Sequence, residues 1–161
     1  MTSQTVFVEK KAREVHVPVL LQEVMDWLRP CSPGCYVDGT LGLAGHTERI
    51  LEQSAPAGTV LGFDWDGQAA RFAEKRLADF GDRFQLLRAS YADMAEQLDG
   101  YGQGQVDGIL VDLGVSSLQL DCPERGFSFQ KDAPLDMRMD TRQEATAQQL
   151  VNRLSQEELA D

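Results

Sequence analysis

CYVDGTLGLAGH, residues 35–46, is a short apolar run that ends in an acid and continues into a glycine-rich turn. Short apolar runs bounded by turn residues are typical of buried strands. Gly39, Gly42 and Gly45 allow the backbone to turn sharply and to approach a ligand closely. We expect a helix over residues 47–53, whose free N–H groups would point at that ligand. The stretch therefore predicts a strand, a ligand-binding turn and a helix.

Strands and helices alternate on both sides of this stretch. An amphipathic helix is predicted before it, because apolar residues recur at helical spacing between positions 17 and 28. The later elements are listed in chain order: a strand over 59–64, a helix over 69–80 with Asp66 as its N-cap, a strand over 84–87, a short helix over 92–98 and a strand over 106–113. This alternation predicts an α/β fold with about four parallel strands and right-handed crossovers.

Composition and charge narrow the class of protein. The chain has 161 residues, is 42% hydrophobic and carries 26 acidic against 15 basic residues. These values fit one ordinary globular domain, and a net charge of -11 argues against a protein that coats nucleic acid. No apolar run is long enough for a membrane span, and residues 1–15 have no signal-peptide core, so we interpret the chain as cytoplasmic.

Cysteines and histidines give no sign of a metal site. Cys31, Cys35 and Cys122 are an odd number and show no CxxC spacing, so we interpret them as reduced thiols. No cluster of His, Cys and Asp has the spacing of a zinc site. We therefore predict no metal.

Acids end three of the predicted strands: Asp38, Asp64 and Asp112. In doubly wound folds, an acid in the position of Asp64 accepts hydrogen bonds from ribose hydroxyls. The glycine spacing is GxxGxxG rather than the dinucleotide pattern GxGxxG, and Asp38 suits a cationic ligand better than a pyrophosphate. S-adenosylmethionine, a sulfonium with an amino-acid tail, fits these features. The alternative is a strand, turn and helix whose glycines are purely structural.

Four stretches of the chain resemble one known family. They are DGTLGLAGH (38–46), GFDWD (62–66), VDGILVDLGVSSLQLD (106–121), and ERGFSF followed by DAPLDMRMD (124–140). They closely resemble the bacterial small-subunit ribosomal RNA (cytosine-N4-)-methyltransferases, and the resemblance runs from His16 to the end of the chain. It implies a Rossmann-like methyltransferase fold, S-adenosylmethionine as cofactor, and methylation of the exocyclic amine of one cytidine in 16S-type RNA.

The resemblance also implies which residues bind the cofactor. They are Ala44, Gly45 and His46 in the glycine turn, Asp64 at the ribose, Tyr91 near the adenine, Asp112 at the fourth strand end, and Gln119 in the loop after it. The family usually has a further glycine where Ala44 stands and a common proline where Leu118 stands. From the residues alone, Tyr91 is equally well a tyrosine at the rim of the core.

The family is about twice as long as this chain, and we expect the sheet here to be incomplete. Residues 1–140 are predicted to form a partial cofactor-binding domain, with 1–15 as a loose lead-in. Residues 141–161 are predicted to start a helical insert, because Thr141 with Glu144, and Ser155 with Glu158, match capping boxes. The capping box of Ser155 with Glu158 predicts the start of a helix, which we do not expect the chain to complete.

An unpaired fourth strand would leave apolar residues 109–111 on an exposed edge, which favours aggregation. We therefore expect the chain alone to be marginally stable or to self-associate as a homo-oligomer. The predicted partner is small-subunit ribosomal RNA or the ribosomal particle. Because phosphate contacts dominate affinity for RNA, the acidic charge implies either that the part of the family's length absent here is basic or that the substrate is an assembled ribonucleoprotein, which offers protein contacts as well.

The chemistry of N4 methylation requires no covalent adduct, so we interpret Cys122 as inert. Asp112, or backbone carbonyls near Gly114, can accept the N4 hydrogen, and we assign no catalytic base. Cations and aromatic residues alternate between Arg125 and Met139, which indicates either a substrate lid or a loop packed on its own aromatics. Two other functions remain: a non-catalytic S-adenosylmethionine-binding module, and a nicotinamide-dependent oxidoreductase, which the glycine spacing disfavours.

Overall fold

The computed structural model describes residues 17–101 and 104–160 of the chain. The backbone divides into two units, with the boundary between Leu113 and Gly114. The predicted lead-in over residues 1–15 lies outside the described residues. The sheet and the strand-end acids belong to the first unit.

A parallel sheet of four strands forms the first unit. The strands are β1 (Cys35–Asp38), β2 (Thr59–Phe63), β3 (Phe84–Leu87) and β4 (Gly108–Leu110), in the order β3-β2-β1-β4. Asp38 at the end of β1 pairs with Gly62 on one side and with Leu110 on the other. The predicted parallel α/β sheet is confirmed. The strand order reverses at β1, and in such sheets ligands bind at the carboxyl ends of the strands beside this reversal.

Helices connect the strands of the first unit. They are α1 (Leu21–Leu28), α2 (Gly45–Gln53), α3 (Gly67–Arg76) and α4 (Met94–Gly100), with 3-10 helices over Ala78–Arg83 and Tyr91–Asp93. Asp66 caps α3 as predicted, because its side chain accepts the N–H of Gln68 at 2.8 Å. The helix predicted to run on to residue 80 instead ends at Arg76, and the 3-10 helix that follows is kinked at Gly81, where φ is 57°.

Both faces of the two central strands, β1 and β2, are buried, which explains why these strands read as continuous apolar runs. On one face, Tyr36 and Val60 lie in a core cluster with Ile50 of α2. On the other face, Val37 and Phe63 form a second cluster, and Met94 of α4 packs against it. Residues that alternate along one strand therefore meet different helices.

The fourth strand is shorter than predicted. The sequence predicts a strand over 106–113, whereas β4 covers only Gly108–Leu110. Within the described residues β4 pairs with β1 alone, and the pairing with β1 stops at Asp38, where that strand ends. The length of β4 is thus set by its neighbour rather than by its own apolar residues.

The second unit contains short helices: α5 (Ser117–Asp121), α6 (Ala147–Arg153) and α7 (Gln156–Ala160), with a 3-10 helix over Pro123–Arg125. The capping box predicted at Thr141 and Glu144 is wrong, because Thr146 and Gln149 form the box that begins α6. The box of Ser155 with Glu158 is confirmed by their reciprocal hydrogen bonds. The chain does form the helix after it, contrary to expectation.

Aspartate and arginine explain the shifted capping box. Asp140 accepts hydrogen bonds from the backbone N–H and the side chain of Arg142, which holds the chain after Asp140 in a turn. Thr141 is therefore part of that turn and cannot begin a helix. Across the described part of the chain, every helix is too short or too polar to span a membrane.

Candidate cofactor site

The glycine turn joins β1 to α2 and is held by the ends of both neighbouring strands. The backbone N–H of Leu41 donates to the carbonyl of Phe63, the last residue of β2, at 3.0 Å. Gly42 has φ of 51°, a left-handed conformation that glycine adopts without a steric penalty. The turn is thus fixed at the edge of the sheet where the parallel strands end.

Asp38 lies beneath this turn and is almost fully buried. It is 2% exposed, and its two carboxylate oxygens accept the N–H of Thr40 at 3.0 Å and the hydroxyl of Thr47 at 2.7 Å. Burial raises the pKa of Asp38, these two donors lower it, and the nearby charge of Asp112 raises it. Asp38 therefore stabilises the turn through its hydrogen bonds to Thr40 and Thr47. Its contribution to ligand binding is electrostatic, because the buried side chain does not reach the ligand directly.

Asp64 follows β2 and reaches the same turn. One carboxylate oxygen accepts the N–H of Gly42 at 2.9 Å, and the other accepts the N–H of Asp66 at 2.8 Å. The pKa of Asp64 is raised from 3.8 to about 6, mainly by burial and also by the charges of Asp66 and Asp38, while the two N–H donors oppose the rise. Each carboxylate oxygen has two acceptor positions, so one on each oxygen remains for donors such as ribose hydroxyls.

Asp112 lies just past the end of β4 and is exposed. Its backbone N–H donates to the hydroxyl oxygen of Thr40 at 2.6 Å, which ties it to the glycine turn. The structure therefore brings Asp64, Asp38 and Asp112 to the ends of three adjacent strands, β2, β1 and β4. Three acids at one edge create a negative potential that suits a cation.

Ala44, Gly45 and His46 begin α2, and their side-chain positions face the protein. Ala44 is fully buried with φ of 60°, and a Cβ built on Gly45 would lie 2.3 Å from Pro18. His46 donates from Nε2 to the carbonyl of Val19 at 2.9 Å. A cofactor can therefore reach these three residues only through their backbone atoms.

Tyr91 begins the 3-10 helix after β3 and is 46% exposed. A Cβ built on Gly39 would lie 3.2 Å from the Cβ of Tyr91, so this residue stands beside the start of the glycine turn. A ring in this place can cover a flat ligand group at the edge of the site.

Gln119 belongs to the second unit. It is 5% exposed, and its side-chain oxygen accepts the N–H of Ser116 at 2.9 Å in a capping box that begins α5. The side chain of Gln119 thus has a structural role within its own unit, whereas the other predicted residues gather around one turn.

Three supporting residues were missed at the level of sequence: Thr40, Thr47 and Pro18. The hydroxyl of Thr47 donates to the carboxylate of Asp38, and the hydroxyl of Thr40 accepts the backbone N–H of Asp112. Pro18 lies against Gly45. Thr40 sits two residues after Asp38, a spacing at which aspartate often accepts a backbone N–H, and this signal was available. The contacts of Thr47 and Pro18 depend on how α2 and the segment before α1 pack.

Comparison with known proteins identifies relatives along nearly the whole chain. The model of the MraW methylase family matches residues 13–161. A protein of Geotalea daltonii named ribosomal RNA small subunit methyltransferase H is 57% identical over 144 residues, which are 89% of this chain and 46% of that protein. A protein of the same name from Syntrophus aciditrophicus is 56% identical over 146 residues, 91% of this chain and 46% of its own length. The chain spans about half the length of these curated relatives.

Among solved structures, a SAM-dependent O-methyltransferase from Thermotoga maritima has a similar fold. The TM-score is 0.50 at 15% sequence identity, and the match covers 70% of this chain and 37% of that one. At this identity the likeness concerns the fold alone. It agrees with the predicted Rossmann-like methyltransferase architecture.

Proposed function

The chain belongs to the MraW methylase family, and we propose that it forms the cofactor-binding part of an S-adenosylmethionine-dependent enzyme that methylates N4 of a cytidine in small-subunit ribosomal RNA. Residues 1–140 are the proposed cofactor-binding domain, and 141–161 the proposed start of a helical insert. The proposed cofactor residues are Ala44, Gly45, His46, Asp64, Tyr91, Asp112 and Gln119.

One observation carries the proposal: Asp64 and Asp112 flank a glycine turn that the sheet fixes in place. Asp64 binds the N–H of Gly42, and Asp112 binds Thr40 through its backbone. A dinucleotide would bring a negatively charged pyrophosphate to this edge, where the acids would repel it. A sulfonium with a ribose matches both the charge and the remaining acceptor positions of Asp64.

S-adenosylmethionine, when bound, supplies a methyl group on a sulfonium that is already activated. The task of the protein is therefore mainly to orient donor and acceptor, since positioning alone can supply a large part of the rate. The turn at Gly42 and the carboxylate of Asp64 would hold the nucleoside part. Tyr91 would cover the adenine.

The acceptor amine of cytosine must lose a hydrogen as it gains the methyl group. Asp112 presents an exposed carboxylate beside the turn and can accept a hydrogen bond from N4, which would increase the electron density on the nitrogen. Backbone carbonyls near Gly114 offer the same acceptor chemistry. We assign no single catalytic base between them.

The second unit supports recognition of RNA by stacking more than by charge. Arg125 donates to the carbonyls of Arg138 and Met139, and Arg138 forms an ion pair with Asp136 at 2.8 Å. These guanidinium groups are thus engaged within the unit. Phe129 is fully exposed and offers a ring on which an unstacked base can lie.

Transfer of a labelled methyl group tests the proposal. The chain is incubated with labelled S-adenosylmethionine and either small-subunit ribosomal particles or their free RNA, and the RNA is then digested to nucleosides. The proposal expects label in N4-methylcytidine, and less label with an Asp64→Ala variant when S-adenosylmethionine is below saturation. Label at another atom would contradict the assigned chemistry. Cofactor binding without any transfer would favour a module that binds S-adenosylmethionine and does not turn over.

A further inference from the structure

Thr40 connects two strand ends that are far apart in the sequence. Its backbone N–H donates to one carboxylate oxygen of Asp38 at 3.0 Å, and its hydroxyl oxygen accepts the backbone N–H of Asp112 at 2.6 Å. Asp38 ends β1 and Asp112 lies two residues past β4. Through Thr40, the end of one strand is fixed relative to the other.

The hydrogen bond between Asp112 and Thr40 extends the hydrogen-bond pattern between β4 and β1 by one bond. The last backbone bond between these strands runs from the N–H of Gly39 to the carbonyl of Leu110, at 2.8 Å. Beyond it the chain from β1 turns away towards Gly42, and a strand carbonyl no longer faces β4. The hydroxyl of Thr40 takes the place of that carbonyl and accepts the next N–H, that of Asp112.

Each side of the glycine turn is therefore fixed by a different device. On the β2 side, Asp64 accepts the N–H of Gly42. On the β4 side, Thr40 accepts the N–H of Asp112. Removing the hydroxyl of Thr40 would leave the N–H of Asp112 without this acceptor, while the bond from Gly39 to Leu110 and the bond between Asp64 and Gly42 stay in place.

We propose that Thr40 is a positioning residue that sets the distance of Asp112 from the glycine turn, and thereby the affinity for the cofactor. This inference rests on the proposed function. Thr40 acts through the main chain of Asp112 and need not touch the cofactor. A serine in its place keeps the acceptor, whereas a valine has a similar shape and removes it.

Two measurements on the chain test the inference: hydrogen exchange at the Asp112 amide, relative to the amide of Leu61 in the central strand β2, and calorimetric titration with S-adenosylmethionine. The variants are Thr40→Val, Thr40→Ala and Thr40→Ser. Thr59→Val, the same change at the first residue of β2, is the matched control. The ratio to Leu61 separates local release from general unfolding, and Thr40→Ala serves if the valine variant does not fold.

We expect Thr40→Val to speed exchange at Asp112 relative to Leu61 and to weaken cofactor binding about three- to tenfold, the range expected for one hydrogen bond. Thr40→Ser and Thr59→Val should stay close to the wild type in both measurements. Unchanged exchange in Thr40→Val, or equal losses in the serine and valine variants, would overturn the inference.

The remaining outcomes separate this inference from the proposed function. Faster exchange with unchanged affinity would overturn the positioning role and leave the proposed function intact. Failure of the wild type to bind S-adenosylmethionine would overturn the proposed function and, with it, the effect of Thr40 on affinity. The ratio of hydrogen exchange at Asp112 to exchange at Leu61 would still decide whether Thr40 holds Asp112 in place.

Discussion

The carboxylate of Asp64 accepts the backbone N–H of Gly42 at 2.9 Å and so ties the end of β2 to the turn that follows β1. Gly42 has a left-handed backbone conformation and lies in the sharp bend of the turn, so the contact with Asp64 holds the turn at its bend. An acid in this position has two tasks: it stabilises the turn from one side and keeps acceptor positions for a ligand.

Replacement of Asp64 by alanine should weaken binding of S-adenosylmethionine by about 1–3 kcal/mol, because charge-assisted hydrogen bonds to ribose hydroxyls would be lost. Calorimetric titration measures the change. Asp79→Ala, which removes an exposed acid from the 3-10 helix after α3, is the control and should bind as the wild type does. Equal affinity in the wild type and in Asp64→Ala would refute the ribose role.

The stability of the chain should carry a pH dependence that originates at Asp64. Its pKa is about 6 in the folded chain against an ordinary value of 3.8, so the folded state binds this proton more tightly than the unfolded state. The contribution of Asp64 to the free energy of unfolding is therefore greatest below about pH 3.8, falls as the pH rises towards 6, and is constant above.

Urea unfolding between pH 4 and pH 7.5 tests this dependence. Since other carboxylates also titrate, the useful quantity is the free energy of unfolding of the wild type minus that of Asp64→Ala. This difference should decrease as the pH rises to about 6 and then level off. A difference that grows with pH would mean that the carboxylate is stabilised, not destabilised, by its surroundings.

Gly45 should not tolerate a side chain. A Cβ there would lie 2.3 Å from Pro18, so Gly45→Ala must displace the segment before α1 or the start of α2. We expect a loss of about 1–3 kcal/mol in the free energy of unfolding. Gly100→Ala, at the last residue of α4 where a Cβ meets open space, should be neutral.

A double variant identifies the cause. If the clash with Pro18 produces the loss, Pro18→Ala should recover part of it in the Gly45→Ala background, and the two substitutions will not be additive. Strict additivity in thermal or urea unfolding would place the cost of Gly45→Ala elsewhere.

Arg125 should hold the segment around Arg138 and Met139 of the second unit in place. It is buried, and its guanidinium donates to the carbonyls of Arg138 and Met139 at 3.0 and 3.1 Å. Arg125→Met removes both bonds and leaves two carbonyls to find new donors. Limited trypsin digestion should then cut after Arg138 and Arg142 at a higher rate than in the wild type.

Arg49→Met is the matched control for this experiment. Arg49 forms an exposed ion pair with Glu52, and such pairs contribute little to stability. Its loss should leave the digestion pattern after Arg138 and Arg142 unchanged. Equal digestion rates for the wild type and Arg125→Met would show that other contacts hold this segment.

Local signals predicted the first and third strands well. The strands at 35–38 and 84–87 form over the predicted residues. The fourth strand was overestimated because its length depends on pairing with β1, and the capping box at Thr141 was displaced because Asp140 binds Arg142. Both errors arise from contacts that a local pattern does not contain.

The strand-end acids were predictable as a group but not individually. Parallel topology places Asp38, Asp64 and Asp112 at one edge, which the sequence indicated. The full burial of Asp38 follows from Thr47, nine residues further along the chain, and became visible only in the packing of α2. Ala44 occupies a left-handed conformation, which favours glycine over a residue with a side chain.

The most direct test of the central claim is a calorimetric titration of the wild-type chain with S-adenosylmethionine and, separately, with NAD. The negative edge formed by Asp38, Asp64 and Asp112 predicts saturable binding of S-adenosylmethionine at one site and no binding of NAD. Binding of NAD without binding of S-adenosylmethionine would contradict the account.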